Sequence, residues 1–286
     1  MSLDVAQDWL MSYRQDQHGL FQKKAVKIAV TSGKGGVGKT SVSLLLARVI
    51  ANLGKRVLLV DCDFNLSNTL VKLGLPLNDN FYSLLAGERP FEECIIKDKK
   101  FHLLAGCNGN VNLVEDSFKI DQFILSMIAE KEHVYDFIIF DSPAGVDKTN
   151  LILNAYCDYR FVVVVPDSSS ITDSYSIMKL LYMKHNIKDN HLVINMTASY
   201  EQGERVVRKL AETSEHFFGG KVKMFGILNY IDQRGSEFDR LVKIADEKIF
   251  SNFYKSTKKF VDERLSRVDT MLSINTFAGK EQYAQV

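Results

Sequence analysis

The chain has 286 residues, 46% of them hydrophobic and 25% charged, with 36 basic against 35 acidic side chains and a formal net charge of +1. That balance excludes a disordered or collagen-like chain and argues against a whole-surface electrostatic grip on DNA or an anionic membrane. Four scattered cysteines with no CxxC pair, no apolar segment at the start and no long apolar window point to a reducing, cytosolic setting without signal peptide or transmembrane span.

The first 24 residues carry Trp9, Leu10, Tyr13, Leu20 and Phe21 among polar neighbours, an amphipathic arm that suits a packed helix or loose end, or else a partner-binding peptide. Short apolar runs then recur at Val26 to Val30, Val57 to Val60, His102 to Leu104, Phe137 to Phe140, Phe161 to Val165, Leu192 to Ile194 and Met224 to Leu228. Almost none alternates polar with apolar, as expected of strands buried on both faces of a parallel sheet. Between them, Thr40 to Leu53 has apolar residues at helical spacing and stops at Gly54, while Asp173 to His185 and Glu201 to Phe218 behave alike. Strands alternating with helices predict an α/β fold: a single doubly wound, mostly parallel sheet of about seven strands flanked by helices. Four prolines and no Gly/Ser-rich or repeated stretch leave no obvious cut. The expected organisation is an arm over 1–24, one domain over 25–267 and a tail over 268–286.

The sharpest motif is Gly33-Lys34-Gly35-Gly36-Val37-Gly38-Lys39-Thr40, directly between the first predicted strand and the first predicted helix. It meets the G-x-x-x-x-G-K-[ST] pattern of a phosphate-cradling P-loop NTPase. Glycines let consecutive N–H groups turn towards phosphate oxygens, and the helix N-terminus, entered through Thr40 and Ser41, adds partial positive charge. Lys39 is placed to reach the β/γ-phosphates, and Thr40 to ligate Mg²⁺. Asp141 closes the run Phe137 to Phe140, and Asp61 and Asp63 close Val57 to Val60. Strand carboxyl ends are where open α/β sheets place their ligands, so these carboxylates are candidates for the metal and the reaction.

These residues resemble the MinD/ParA-type ATPases. Lys34 is similar to the second lysine of that family's deviant Walker A motif. Asp61-Cys62-Asp63-Phe64-Asn65-Leu66-Ser67-Asn68 resembles its first switch, and Asp141-Ser142-Pro143-Ala144-Gly145 its Walker B and second switch. The stretch Pro166 to Tyr175 is similar to that of the flagellar-number regulators called FlhG or FleN. That branch carries an N-terminal D-Q-A-x-x-L-R segment that stimulates the GTPase FlhF; here the segment is Asp16-Gln17-His18-Gly19-Leu20-Phe21-Gln22, which keeps Asp and Gln, replaces Leu by Phe and departs at Ala and Arg.

The resemblance implies ATP/ADP and Mg²⁺ as ligands and an ATP-bound homodimer in which Lys34 of each subunit reaches the other's phosphates. Gly33, Gly35, Gly36, Val37, Gly38, Lys39, Thr40 and Ser41 would hold the nucleotide. Asn195 would contact adenine; Thr40, Asp61 and Asp141 would serve the metal; Asp63 would orient the attacking water. Implied partners are an FlhF-type GTPase, flagellar switch proteins or a transcription factor, at the cell pole or inner membrane. Division-site regulation of the MinD kind and ParA-like DNA or cargo positioning are the alternatives. Seven Lys or Arg against five Asp or Glu between Lys243 and Asp269 disfavour direct DNA binding. The stripe Ile249, Phe250, Phe253, Tyr254, Thr257, Phe260, Val261, Leu265 and Val268 is expected to pack on the core rather than on membrane. The tail, with Met271, Leu272, Ile274 and Phe277 but only Lys280, predicts weak or assisted membrane contact.

Overall fold

The computed structural model describes residues 24–63, 68–106, 117–233 and 235–264. The Asp16-Gln17 segment, Phe64 to Ser67 of the switch-like motif, Cys107, Leu265, Val268 and the tail lie outside the described residues.

Eight strands form one sheet: β1 (Val26–Ser32), β2 (Val57–Asp61), β3 (Ile96–Asp98), β4 (Phe101–Leu104), β5 (Phe137–Ala144), β6 (Tyr159–Val164), β7 (Asp189–Thr197) and β8 (Lys221–Asn229). Their order is β3-β4-β2-β5-β1-β6-β7-β8, parallel throughout except for the antiparallel β3–β4 pair. The mostly parallel sheet is as expected, with one strand beyond the seven apolar runs of the sequence. The additional strand, Ile-Lys-Asp, is a three-residue edge with two exposed side chains, so it has no apolar run to announce it.

The long helices are α1 (Lys39–Asn52), α5 (Ser117–Lys131), α6 (Lys148–Tyr156), α7 (Ser168–His185), α8 (Tyr200–Phe218), α9 (Ser236–Ile244) and α10 (251–264); three short ones, α2 (Thr69–Lys72), α3 (Asn80–Leu85) and α4 (Phe91–Cys94), follow β2. Helix α7 begins five residues before the predicted Asp173, because Asp167 caps it by accepting from the Ser170 N–H. Gly54, just beyond α1, has φ +80 and donates its N–H to the Ala51 carbonyl.

Alternate residues of each central strand feed two cores. Leu58, Val60, Ile138, Phe140, Val162 and Val164 face one side, with α3 to α8; Val57, Leu59, Phe137, Ile139, Phe161 and Val163 face the other, with α1, α2, α9 and α10. Within α10, Phe253, Thr257, Phe260 and Val261 are buried, and the Phe260 ring lies 5.5 Å from Phe161 and 5.8 Å from Phe225. The expected core packing of this stripe therefore holds over these residues, while Ile249 at its start is exposed.

Beside this aromatic group, His191 of β7 lies between the Tyr159 and Phe161 rings with its Nδ1 buried and unbonded. Burial first, then the charges of Lys223, Arg160 and Arg264, push its imidazole down to about 4. The folded form thus binds its proton less readily than the unfolded chain. Its contribution to stability is complete above about pH 6.5 and is lost as pH falls towards 4, amounting to about 2 kcal/mol by pH 5. Urea denaturation at pH 7.5 and 5 should show His191→Gln losing about that much less than the wild type on acidification; equal losses would contradict the assignment.

Candidate functional site

Strand β1 occupies the middle of the sheet, with β5 on one side and β6 on the other. The chain leaves β1 for β2 on the β5 side and returns later to build the β6 side, which opens a crevice at the strand carboxyl ends. Residues 33–38 span the turn from β1 into α1 there. Gly36 and Gly38 take φ +76 and +90, the left-handed region that side chains disfavour. A Cβ on Gly33 would collide with the backbone of Asp173 in α7, and one on Gly38 with the Asn195 amide, whereas Gly35 and Gly36 face open space.

The crevice is a cavity of about 680 Å³ whose lining includes Gly35, Gly36, Gly38, Lys39, Thr40, Ser41, Asp63 and Asn195. Met196, Asn229, Tyr230, Ile231 and Phe238 also line it. Met196 has φ +56, turning the chain at the end of β7, and the Asn195 Nδ2 donates to the Val37 carbonyl at 2.9 Å. Gly33, Lys34, Val37, Asp61 and Asp141 do not line the cavity. Val37 is buried in the core beside α1.

Asp61, at the end of β2, and Asp141, within β5, stand at paired positions on neighbouring strands and are both buried. The Ser43 hydroxyl donates to Asp141 Oδ1 at 2.9 Å, the Thr40 hydroxyl also bonds this carboxyl, and Thr69 Oγ1 donates to Asp61 Oδ2. Burial, and after it the charge of Asp61, push the Asp141 carboxyl up to about 7, against the pull of those hydroxyls and of Lys39. Burial likewise lowers the Lys39 ammonium, opposed by Asp141 and Asp63. Two crowded carboxylates and a hydroxyl are hard oxygen donors beside a phosphate-type loop, a set that fits Mg²⁺.

Lys34 points elsewhere. Its Nζ donates to Ser169 Oγ at 2.5 Å and lies 3.5 Å from Asp167 Oδ1 at the start of α7, with the side chain 43% exposed. Ser43, Thr69 and the wall of Met196, Tyr230, Ile231 and Phe238 were not legible as site residues; the one signal was that Tyr230 and Ile231 follow the carboxyl end of a predicted strand.

The AAA_31 family model, described as an AAA domain, matches residues 25–196. Septum site-determining protein MinD of Bacillus subtilis is 31% identical over 204 residues, 70% of this chain and 75% of that protein. The chain belongs to the MinD/ParA family of ATPases. Antiactivator FleN of Pseudomonas aeruginosa is 28% identical over 71% of this chain and 73% of its own length, and flagellum site-determining protein YlxH of Helicobacter pylori 29% over 78% and 77%. Both support the FlhG-like branch. The MinD fold recurs in the structure of Pyrococcus horikoshii MinD complexed with Mg-ADP, at a TM-score of 0.65 and 23% identity over 82% of this chain and 96% of that one. This MinD/ParA member is an ATP-hydrolysing enzyme with the P-loop NTPase fold. Among the described residues no helix is long and apolar enough to cross a membrane.

Proposed function

We propose that this ATPase is an ATP-gated dimerising switch that regulates flagellar number and placement. The observation that carries the branch is that FleN and YlxH, relatives matched over about three-quarters of their own lengths, are named for an antiactivator and for flagellum site determination. In this reading the phosphates of ATP lie on the loop Gly33 to Thr40, where backbone N–H groups and Lys39 neutralise them. Thr40 and Asp141 would hold Mg²⁺, with Asp61 buttressing Asp141. The cation supplies charge neutralisation at the phosphate oxygens when bound. Asp63, exposed at the cavity, orients the attacking water, and the Asn195 side of the cavity takes the adenine.

Asp63→Ala should retain ATP and accumulate as an ATP-bound dimer, because it removes water orientation and leaves the phosphate grip intact. Light scattering with ATP and Mg²⁺ checks this, and a monomer under those conditions would contradict it. An FlhF-type GTPase is the proposed partner of the N-terminal arm, with flagellar switch proteins or a transcription factor as further outputs. Co-purification by the full chain, compared with a chain lacking residues 1–24, tests the branch: arm-dependent capture of an FlhF-type GTPase supports it. The second reading, a division-site regulator, rests on the 31% identity to MinD and predicts capture of a MinC-like inhibitor instead.

A further inference from the structure

The first turn of α6 carries a buried polar group that the nucleotide loop alone does not require. Asn150 and Asn154 are fully buried, as is Thr31 near the end of β1. The Asn150 amide nitrogen donates to the carbonyl oxygen of Gly145, the residue that follows β5 and its cavity-lining Ala144. The Asn150 amide oxygen accepts from Asn154 Nδ2 at 2.7 Å and from the Thr31 hydroxyl at 3.3 Å. Its backbone N–H is taken by Asp147, the α6 cap, so the side chain is held from both ends.

The contacts continue towards the phosphate loop. Gly145 donates its N–H to the Ser32 carbonyl at 3.1 Å, and the Ser32 hydroxyl donates to the Lys34 carbonyl at 2.7 Å. Gly145 takes φ +102, and the β1–β5 register shifts between Val30 and Ser32, so ladder hydrogen bonds alone do not fix this junction. Side-chain amides that donate and accept at once are suited to fixing such an irregular joint.

We infer that Asn150 is a positioning residue for ATP hydrolysis: by holding the Gly145 carbonyl, it fixes the Ala144–Gly145 wall of the cavity against Ser32 and sets the backbone from which Lys34 projects. The role rests on the ATPase reading. It predicts an effect on turnover more than on ATP capture, because Lys39 and Thr40 lie on α1, beyond the Ser32–Lys34 segment. Misplacement of catalytic groups by a fraction of an ångström to an ångström costs roughly 10- to 100-fold in rate.

The deciding variant is Asn150→Asp, which keeps the acceptor facing Thr31 and Asn154 and removes the donor to Gly145. Thr31→Val removes the neighbouring hydroxyl and leaves that donor. Steady-state ATPase assays on the full-length protein should show kcat reduced about tenfold or more in Asn150→Asp, with the KM for ATP within about twofold. Thr31→Val should keep near wild-type kcat, and Asn150→Gln, which restores a donor, should recover part of the loss. Fluorescent ATP binding and thermal melting separate positioning from misfolding: a folded Asn150→Asp protein that binds ATP normally and turns it over slowly supports the inference. Wild-type kcat in Asn150→Asp, or equal losses in Asn150→Asp and Thr31→Val, would overturn it. Failure of the wild type itself to hydrolyse ATP would instead contradict the ATPase reading.

Discussion

Lys34→Ala should bind ATP almost as tightly as the wild type, fail to dimerise with it, and hydrolyse it roughly 10³-fold or more slowly, the scale on which a charge supplied in trans accelerates phosphoryl transfer. Lys34 is absent from the cavity lining although the next residue, Gly35, is part of it, and its ammonium is held by Asp167 and Ser169. Ground-state binding within one subunit is left to Lys39, Thr40 and the loop N–H groups, which are untouched by the substitution. A half-exposed ammonium beside the mouth is instead available to a second copy. The near-neutral net charge of +1 leaves little long-range repulsion between two such copies. Equilibrium binding of ATP, light scattering with ATP and single-turnover hydrolysis check the three parts separately. Normal turnover by Lys34→Ala would overturn the dimer mechanism, and weakened ATP binding would place Lys34 on the nucleotide of its own subunit.

What the sequence made legible was local and periodic. The seven long apolar strands and the loop Gly33 to Thr40 depend on adjacent residues, so each could be read from its own segment. The carboxylates Asp61 and Asp141 were legible for the same reason, since each closes an apolar run. What was hidden depends on contact between distant segments. Ser43 and Thr69 look like ordinary helix hydroxyls until folding brings them to Asp141 and Asp61. Tyr230, Ile231 and Phe238 reach the cavity only because β8 and α9 return to the end of β7. Asn150 lies in a plain helical stretch, and its meaning comes from Thr31, 119 residues earlier. The strand β3 escaped because an exposed edge has no buried face to pattern.

The most concealed feature is a lysine inside the first apolar run, and its removal should be among the costliest single changes to stability. Lys27 on β1 is 4% exposed, and its Nζ lies 2.9 Å from Glu132 Oε1, also buried, just beyond α5. The Tyr156 hydroxyl donates to the same oxygen at 2.8 Å, the Tyr156 ring lies 5.2 Å from the ammonium, and Asp158 approaches it at 4.0 Å. Lys27→Met keeps the length of the side chain but takes the Lys27 ammonium away from the buried Glu132 carboxylate. Breaking a buried pair from one side costs about 3–5 kcal/mol, chiefly because the remaining charge is uncompensated. The pair itself is worth far less, since the desolvation of both ions offsets most of their attraction. Lys27→Met/Glu132→Leu should therefore recover most of the stability lost by Lys27→Met. Urea denaturation of the two variants and the wild type measures the difference, with the midpoint moving and the slope held. If the double variant is as unstable as the single one, the loss comes from packing around Tyr156 rather than from a stranded charge.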